Sequence, residues 1–238
     1  MKAMILAAGL DEGLRPLTIE VPKVLFPINR IPAIEHIILW LKSYNISEIA
    51  INVHHLKEQI LDYLDNCGLP DVNIKYSVEE NLLGTACGVN KMASFLGDDF
   101  VVVCGDIYTD FNLAEMIAFH KDRKAVATLA IHRTDKPWLS GIVNINDDGL
   151  ITSFVEKPAA GTETGKLASG GVYILNKQVL SYVSVEKGCD FGSDVFPELV
   201  EMKQPVYGYR LKKEDYLVDI GTFENYINVN ERLKKKAS

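Results

Sequence analysis

The sequence predicts an α/β protein built on a doubly wound, mostly parallel sheet. Three observations carry this. Short apolar runs alternate with amphipathic segments of helical period through the first 130 residues. Several of those runs end in small or acidic residues, as Ala3 to Ala8 does before Gly9 and Val101 to Cys104 before Gly105-Asp106. At 238 residues with 47% hydrophobic content, the chain can bury one large core.

The elements follow in order. After the first strand, Ile34, Ile37, Ile38 and Leu41 recur at helical spacing within 32–44, with Pro32 in the first turn. A strand is expected over 48–53, a helix over 56–66 closed by Gly68 and Pro70, and a strand over 72–76. A helix over 85–96, a strand over 100–104, a helix over 113–121 and a strand over 126–131 complete this half. Beyond it the pattern changes. Runs 141–146 and 150–156 flank Asp147-Asp148-Gly149, a hairpin turn signal. A strand over 168–175, short helices near 177–182 and 194–202, a strand over 206–211 and a closing helix over 222–235 follow. The expected organisation is a single domain, 1–238. Residues 1–130 form a nucleotide-binding half, and 131–238 a small mixed β lobe for the second substrate plus the closing helix.

Charge and composition exclude several function classes. The net charge is −7, and the one basic run, Arg232 to Lys236, reads as the end of a helix. Nucleic acid is therefore disfavoured as a partner. No apolar stretch spans a membrane, and the opening run reads as a strand and not as a leader. Cys67, Cys87, Cys104 and Cys189 have no zinc-ligand spacing and fit reduced thiols in the cytoplasm. The sequence leaves oligomeric state open, a homo-oligomer included.

Open parallel sheets bind ligands at the carboxyl ends of their strands. The segments to inspect are thus 9–23, 77–86, 105–109 and 219–221. Gly9 allows close approach of the backbone to a ligand. Lys23, after Pro22, presents a compact cation suited to phosphate; a solvated loop lysine is the alternative. Asp106 and Asp219 each follow an apolar run, where a carboxylate can hold Mg²⁺ together with phosphate oxygens. For each alone, a turn or helix-cap role competes. Leu83-Gly84-Thr85-Ala86 opens a helix with small residues whose backbone is free to read a base edge. Glu156 and Lys157, before Pro158, offer an acceptor for hydroxyls and a cation for phosphate.

In this order, the pieces resemble the sugar-1-phosphate nucleotidyltransferases, or nucleoside-diphosphate-sugar pyrophosphorylases. The likeness rests on KAMILAAG at 2–9, LRPLT at 14–18, PKVLFPI at 22–28, LLGTA at 82–86 and VVVCGDI at 101–107. It continues in FVEKP at 154–158, SGGVYIL at 169–175, DFGSDVFPEL at 190–199 and VDIGTFE at 218–224. The resemblance implies the Rossmann-like fold of nucleotide-diphospho-sugar transferases. It also implies transfer of a nucleotidyl group from an NTP to a sugar 1-phosphate with Mg²⁺ as cofactor.

The same resemblance implies residue roles. Lys23, Arg15, Asp106 and Lys157 would be catalytic. Leu6, Ala8, Gly9, Gly13, Lys23, Gly84, Thr85 and Gly105 would line the nucleotide. Gly141, Glu156, Lys157 and Ser169 would contact the sugar, and Asp106 and Asp219 would hold the metal. Asn52-Val53-His54-His55-Leu56 and the segment from Tyr76 to Ala86 look most like guanylyltransferases that use mannose or heptose 1-phosphate. UTP, dTTP or CTP with glucose 1-phosphate is the alternative. The end of the sequence at Ser238, with no acyltransferase extension, reads as excluding a bifunctional member.

Two departures stand out. The family loop usually reads Ala-Ala-Gly-x-Gly-Thr-Arg-Leu-x-Pro-Leu-Thr. Here Asp11 replaces the second glycine, Glu12 the threonine and Gly13 the arginine. Ser169 stands where an asparagine is common. Three expectations follow from the loop: Arg15 turns in as a substitute cation, Asp11 or Glu12 recruits an extra Mg²⁺, or the chain is a binding or regulatory subunit without turnover.

Overall fold

A computed structural model describes residues 1–10, 12–162, 165–185 and 188–236, and the side chain of Glu12 is also outside that description. The first half builds as its hydrophobic periods require. Strand β1 (Lys2–Ala7) is followed by 3-10 turns at Glu12–Leu14, Leu17–Ile19 and Lys23–Leu25. A two-residue ribbon, β2 (Pro27–Ile28) with β3 (Ile31–Pro32), leads into α1 (Ala33–Ser43). Then come β4 (Glu48–Val53), α2 (Lys57–Asn66), β5 (Asn73–Val78), α3 (Thr85–Lys91) and α4 (Ala93–Leu96). The single helix expected over 85–96 is thus broken at Met92, whose φ of −102° and ψ of 10° leave helical geometry.

The chain continues through β6 (Asp99–Cys104), β7 (Ile107–Thr109), α5 (Leu113–Asp122) and β8 (Ala127–Arg133). The hairpin β9 (Gly141–Ile145) and β10 (Ile151–Glu156) and the long β11 (Leu167–Asn176) follow. After β11 come a 3-10 segment over Lys177–Tyr182, a wide π turn over Phe191–Val195 and α6 (Phe196–Glu201). The last elements are β12 (Val206–Arg210), β13 (Leu217–Asp219) and α7 (Phe223–Lys236).

Strands β5, β4, β1 and β6 run parallel, in that spatial order. The chain steps from β1 outward to β4 and β5, then crosses back to β6 on the other side of β1. The carboxyl ends of β1 and β6 therefore flank the point where strand order reverses, the usual ligand position in an open α/β sheet. The second half is not a separate lobe with its own sheet. Antiparallel β11 pairs with β8 along one edge and with β9 and then β6 along the other, so the described strands β1, β4–β6 and β8–β12 form one continuous sheet. β12 joins it parallel to β8.

Side chains of β1 alternate between two cores. Met4 packs with Phe100, Val102, Phe191 and Phe196 on one face. Ala3, Ile5 and Ala7 pack with Ile34, Ile37, Ile38 and Leu41 of α1 on the other. This period-2 alternation is what a strand covered on both faces demands. Each aliphatic side chain buried this way contributes about 1.5–3 kcal/mol. A small third cluster, Ile28, Ala33, Ile220 and Val229, fixes α7 beside β2.

Candidate active site

A cleft of about 1080 Å³ opens at the carboxyl ends of β1 and β6 and runs toward β9–β11. It collects residues far apart in sequence. Leu6, Gly13, Lys23, Thr85, Asp106, Gly141, Glu156, Lys157, Ser169 and Asp219 all line it. Ala8, Gly9, Gly84, Gly105 and Arg15 are not among its lining residues.

At one end of the cleft Lys23 Nζ lies 2.7 Å from Asp106 Oδ2, and both side chains are largely buried. Two packing facts place this pair. Pro22 holds φ at −65° before the turn that carries Lys23. Gly105 lets β6 close on β1: a Cβ there would sit 2.8 Å from both the Leu6 carbonyl and Val24 Cγ1. Gly105 is thus a packing requirement.

Asp219 reaches Asp106 by a separate two-stranded ribbon. β13 pairs antiparallel with β7, matching Asp219 with Ile107, and Ile220 N–H donates to the Asp106 carbonyl at 2.9 Å. The Gly221 amide donates to Asp219 Oδ1 at 2.6 Å. Asp219 is open to the cleft, yet burial by surrounding protein and the nearby Asp106 charge push its carboxyl up to about 6. Two hard carboxylates crowded together, with Lys23 as the neighbouring cation, match what Mg²⁺ takes when substrate phosphates complete its shell. No group of three or more metal-ligating side chains occurs among the described residues. Any cation here would therefore draw further ligands from substrate or water.

The other end is preshaped around Glu156 and Lys157. A Cβ on Gly141 would lie 2.7 Å from Glu156 Oε2, and one on Gly192 2.5 Å from the same oxygen. The carboxylate is therefore clasped between two glycines. Burial raises the Glu156 pKa, and the adjacent Lys157 lowers it in part. Lys157 has φ +42° although it precedes Pro158. That region is disfavoured for a non-glycine residue, more so before proline, and such strain concentrates at functional positions. The Lys157 amide donates to the Ser140 carbonyl at 3.1 Å, which pins the turn.

Ser169 sits beside an irregularity in β11, whose register shifts between Ser169 and Tyr173 while Gly171 adopts φ +72°. A bulge next to a site re-aims side chains. The Ser169 hydroxyl is buried and makes no hydrogen bond of normal geometry among the described residues, the Tyr173 hydroxyl being the polar group beside it. A donor so placed at a cleft wall is poised for a ligand.

Two expectations differ from the structure, and a third falls outside the described residues. The backbone at the start of α3 is not free: Thr85 N–H and Oγ1 both donate to Asp190 Oδ1, at 2.8 and 2.9 Å. The next two amides, Ala86 and Cys87, donate to the Cys189 carbonyl. A helix start must satisfy its first amides, and here a distant segment does so. Gly84, at φ +86°, lies against that same segment, where a Cβ would be 2.5 Å from the Cys189 carbonyl. Arg15 is exposed and outside the cleft, because buried Leu14 takes the inward position beside it. The side chains of Asp11 and Glu12, expected as recruiters of a further cation, lie outside the described residues.

Sequence reasoning missed a buried polar chain beneath the cleft. Ala7 N–H donates to Asn52 Oδ1 at 2.9 Å, and Asn52 Nδ2 donates to Glu79 Oε1 at 2.8 Å. Leu83 N–H donates to Glu79 Oε2 at 3.2 Å. Asn52 and Glu79 are 3% and 2% exposed. The chain ties the end of β1 to the turn before α3. Asn52 as the polar residue inside the apolar run Ile49 to Val53 was the available signal. His132, Arg133, Trp138, Tyr173 and Asp190 also line the cleft without having been assigned a role.

Fold and cleft together define an α/β protein with a polar, ion-bearing cleft at the point where the strand order of its sheet reverses. Comparison with known proteins agrees. The nucleotidyl transferase family profile matches residues 2–236, and the chain belongs to that family. It is 35% identical over 240 residues to a UTP–glucose-1-phosphate uridylyltransferase of Synechocystis sp., covering 95% of this chain and 61% of that protein. It is 33% identical over 238 residues to a mannose-1-phosphate guanyltransferase of Schizosaccharomyces pombe, covering 95% and 62%. The chain thus spans about three fifths of the length of these two relatives. A crystal structure of UDP-glucose pyrophosphorylase with UDP-glucose superposes with a TM-score of 0.84 at 19% identity, covering 99% of this chain and 98% of that one. That likeness shows the fold.

Proposed function

We propose that the protein transfers a nucleotidyl group from an NTP to a sugar 1-phosphate, giving an NDP-sugar and pyrophosphate. The observation that carries this reading is the convergence of Lys23, Asp106 and Asp219 at one end of a cleft whose other end holds Glu156, Lys157 and Ser169. The family supports it: the two curated relatives are named for this reaction with different bases and sugars. GTP with mannose 1-phosphate is the first pair to test, and UTP with glucose 1-phosphate the second.

The chemistry asks for positioning and charge neutralisation more than for a protein nucleophile. Lys157 holds the sugar phosphate so that an oxygen faces the α-phosphorus in line with the departing pyrophosphate. Glu156 and Ser169 accept and donate hydrogen bonds to sugar hydroxyls and fix the ring. Lys23 leaves Asp106 for the triphosphate once the carboxylates have another partner. Asp106 and Asp219 would hold Mg²⁺, which when bound neutralises phosphate charge.

The position of Gly13 bears on the missing loop arginine. A Cβ there would lie 2.5 Å from the Gly221 carbonyl. The backbone occupies the room that a side chain would need, so the loop is closed around glycine. The cations on the cleft wall are Lys23, Arg133, Lys136 and Lys157 among the described residues. The test is pyrophosphate release over a matrix of NTPs and sugar 1-phosphates with Mg²⁺. Release from at least one pair is expected. NTP binding without release from any pair would overturn the reading and leave a binding subunit.

A further inference from the structure

The protein has two tryptophans, and they have opposite surroundings. Trp40 packs edge-on against Tyr44 and Phe111 and donates to the Phe111 carbonyl at 3.2 Å. Trp138 is 43% exposed, beside Leu139 at 50%, and both line the cleft. A large aromatic side chain left open at a cleft wall is a candidate for ligand contact.

The loop that carries Trp138 is well held. Lys136 Nζ bonds Glu224 Oε2 at 2.8 Å, which anchors the loop to the first turn of α7. Lys136 N–H donates to Thr134 Oγ1 at 3.0 Å, and the 3-10 turn Pro137–Leu139 is closed by Ser140 N–H to the Pro137 carbonyl. The Ser140 carbonyl in turn receives the Lys157 amide. Trp138 and Lys157 are therefore fixed to the same piece of backbone. The neighbouring lining is polar: Glu156, Lys157 and the buried Ser169 hydroxyl. A wall of hydrogen-bonding groups beside an indole suits a ligand with hydroxyl edges and a C–H face, which describes a pyranose ring. The amides and hydroxyl at the start of α3 are already bonded to Cys189 and Asp190, and they lie on a different segment of the wall.

We infer that Trp138 is a specificity-determining residue that stacks on the sugar ring of the sugar 1-phosphate. This rests on the sugar-1-phosphate reading above and assigns the ring's apolar face to one side chain. Aromatic stacking adds contact only for a ring whose C–H face is free of axial substituents on the stacked side. Trp138 thus selects among sugars, while Lys157 binds the phosphate they share.

The test uses the full chain and the intrinsic fluorescence of its two tryptophans. In Trp40→Phe protein the emission comes from Trp138 alone. Titration with mannose 1-phosphate or glucose 1-phosphate should change it saturably, and inorganic phosphate should not. Trp138→Ala should raise KM for the sugar 1-phosphate roughly tenfold, with kcat and the KM for NTP within about twofold. Trp138→Phe should restore most of the loss. Wild-type and Trp138→Phe emission can be compared directly if Trp40→Phe does not fold. A sugar 1-phosphate that binds by calorimetry yet leaves Trp138 emission and KM unchanged would overturn the inference alone. So would an effect confined to the KM for NTP, which would place the base against Trp138. Absence of any sugar 1-phosphate binding would overturn this inference and the functional reading together.

Discussion

The two ends of the cleft handle charge differently. At one end, Lys23 is already paired with Asp106 at 2.7 Å, and burial together with the Asp106 charge pushes the Asp219 carboxyl up to about 6. At the other end, Glu156 sits between two glycines and the Ser169 hydroxyl is buried beside Tyr173. One end is a closed ion pair; the other is a carboxylate clasped in a preformed frame. The lesson is that rigid geometry suits the reading of hydroxyls, and a crowded ion cluster suits the handling of phosphate charge.

The sharpest way to break the comparison is at the crowded end. Asp106→Asn removes both the partner of Lys23 and one of the two converging carboxylates. The expected loss in kcat/KM is roughly 10²–10³-fold, measured by pyrophosphate release. Glu156→Gln keeps the shape of the other end and should cost far less in kcat, with its effect mainly on the KM for sugar. Equal effects at both sites would erase the distinction.

Next in size is the frame under the cleft. Asn52→Ala leaves Ala7 N–H without its acceptor and Glu79 Oε1 without its donor in a buried setting, while Glu79 Oε2 keeps the Leu83 amide. About 2–4 kcal/mol of stability should be lost, read as a drop in Tm of about 5–10 °C. Glu79→Gln, which keeps one acceptor, should cost less. Identical Tm values for wild type and Asn52→Ala would show that the polar chain does not hold the cleft.

Gly13→Ala comes third. The added methyl meets the Gly221 carbonyl at 2.5 Å, so the loop must shift, at about 1–3 kcal/mol. Gly13→Arg should accordingly lower activity. A gain in rate with Arg would mean that the loop moves freely from Gly221 and that the arginine was missed.

The smallest effect concerns pH. Asp219 has a folded value near 6, above its ordinary 3.8. In the metal-free protein the protonated form is favoured, so its contribution to stability is full below the ordinary value and is lost as pH rises through about 6. A cation needs the ionised form, so Mg²⁺ affinity should fall about tenfold per unit below pH 6. Calorimetric titration between pH 5 and 8 checks this. A flat profile would remove Asp219 from the cation site.

Much of the fold was legible because it follows from local periods. The helix of α1 lies where Ile34, Ile37, Ile38 and Leu41 put it, and the hairpin of β9 and β10 turns where Asp147-Asp148-Gly149 allows. The candidate cleft was legible in part. Lys23, Asp106, Glu156, Lys157, Ser169 and Asp219 were singled out in sequence and meet in one cleft. Short elements were not legible, since the two- and three-residue strands β2, β3, β7 and β13 carry no period to read. Nor was the role of Asp190 as a cap for α3, because its partner lies 105 residues away.

By itself the sequence determined the alternation of strand and helix, the residues able to do phosphate and hydroxyl chemistry, and the family. Apolar spacing and residue chemistry are local, so they survive without coordinates. Only the tertiary structure decided that β13 pairs with β7 and so brings Asp219 to Asp106. It alone showed that β11 joins both halves in one sheet, that Arg15 is exposed and that Trp138 shares a wall with Lys157. These depend on long-range packing: a buried Leu14, a glycine against a carbonyl and a bulge in a strand set directions that no neighbour in sequence can specify.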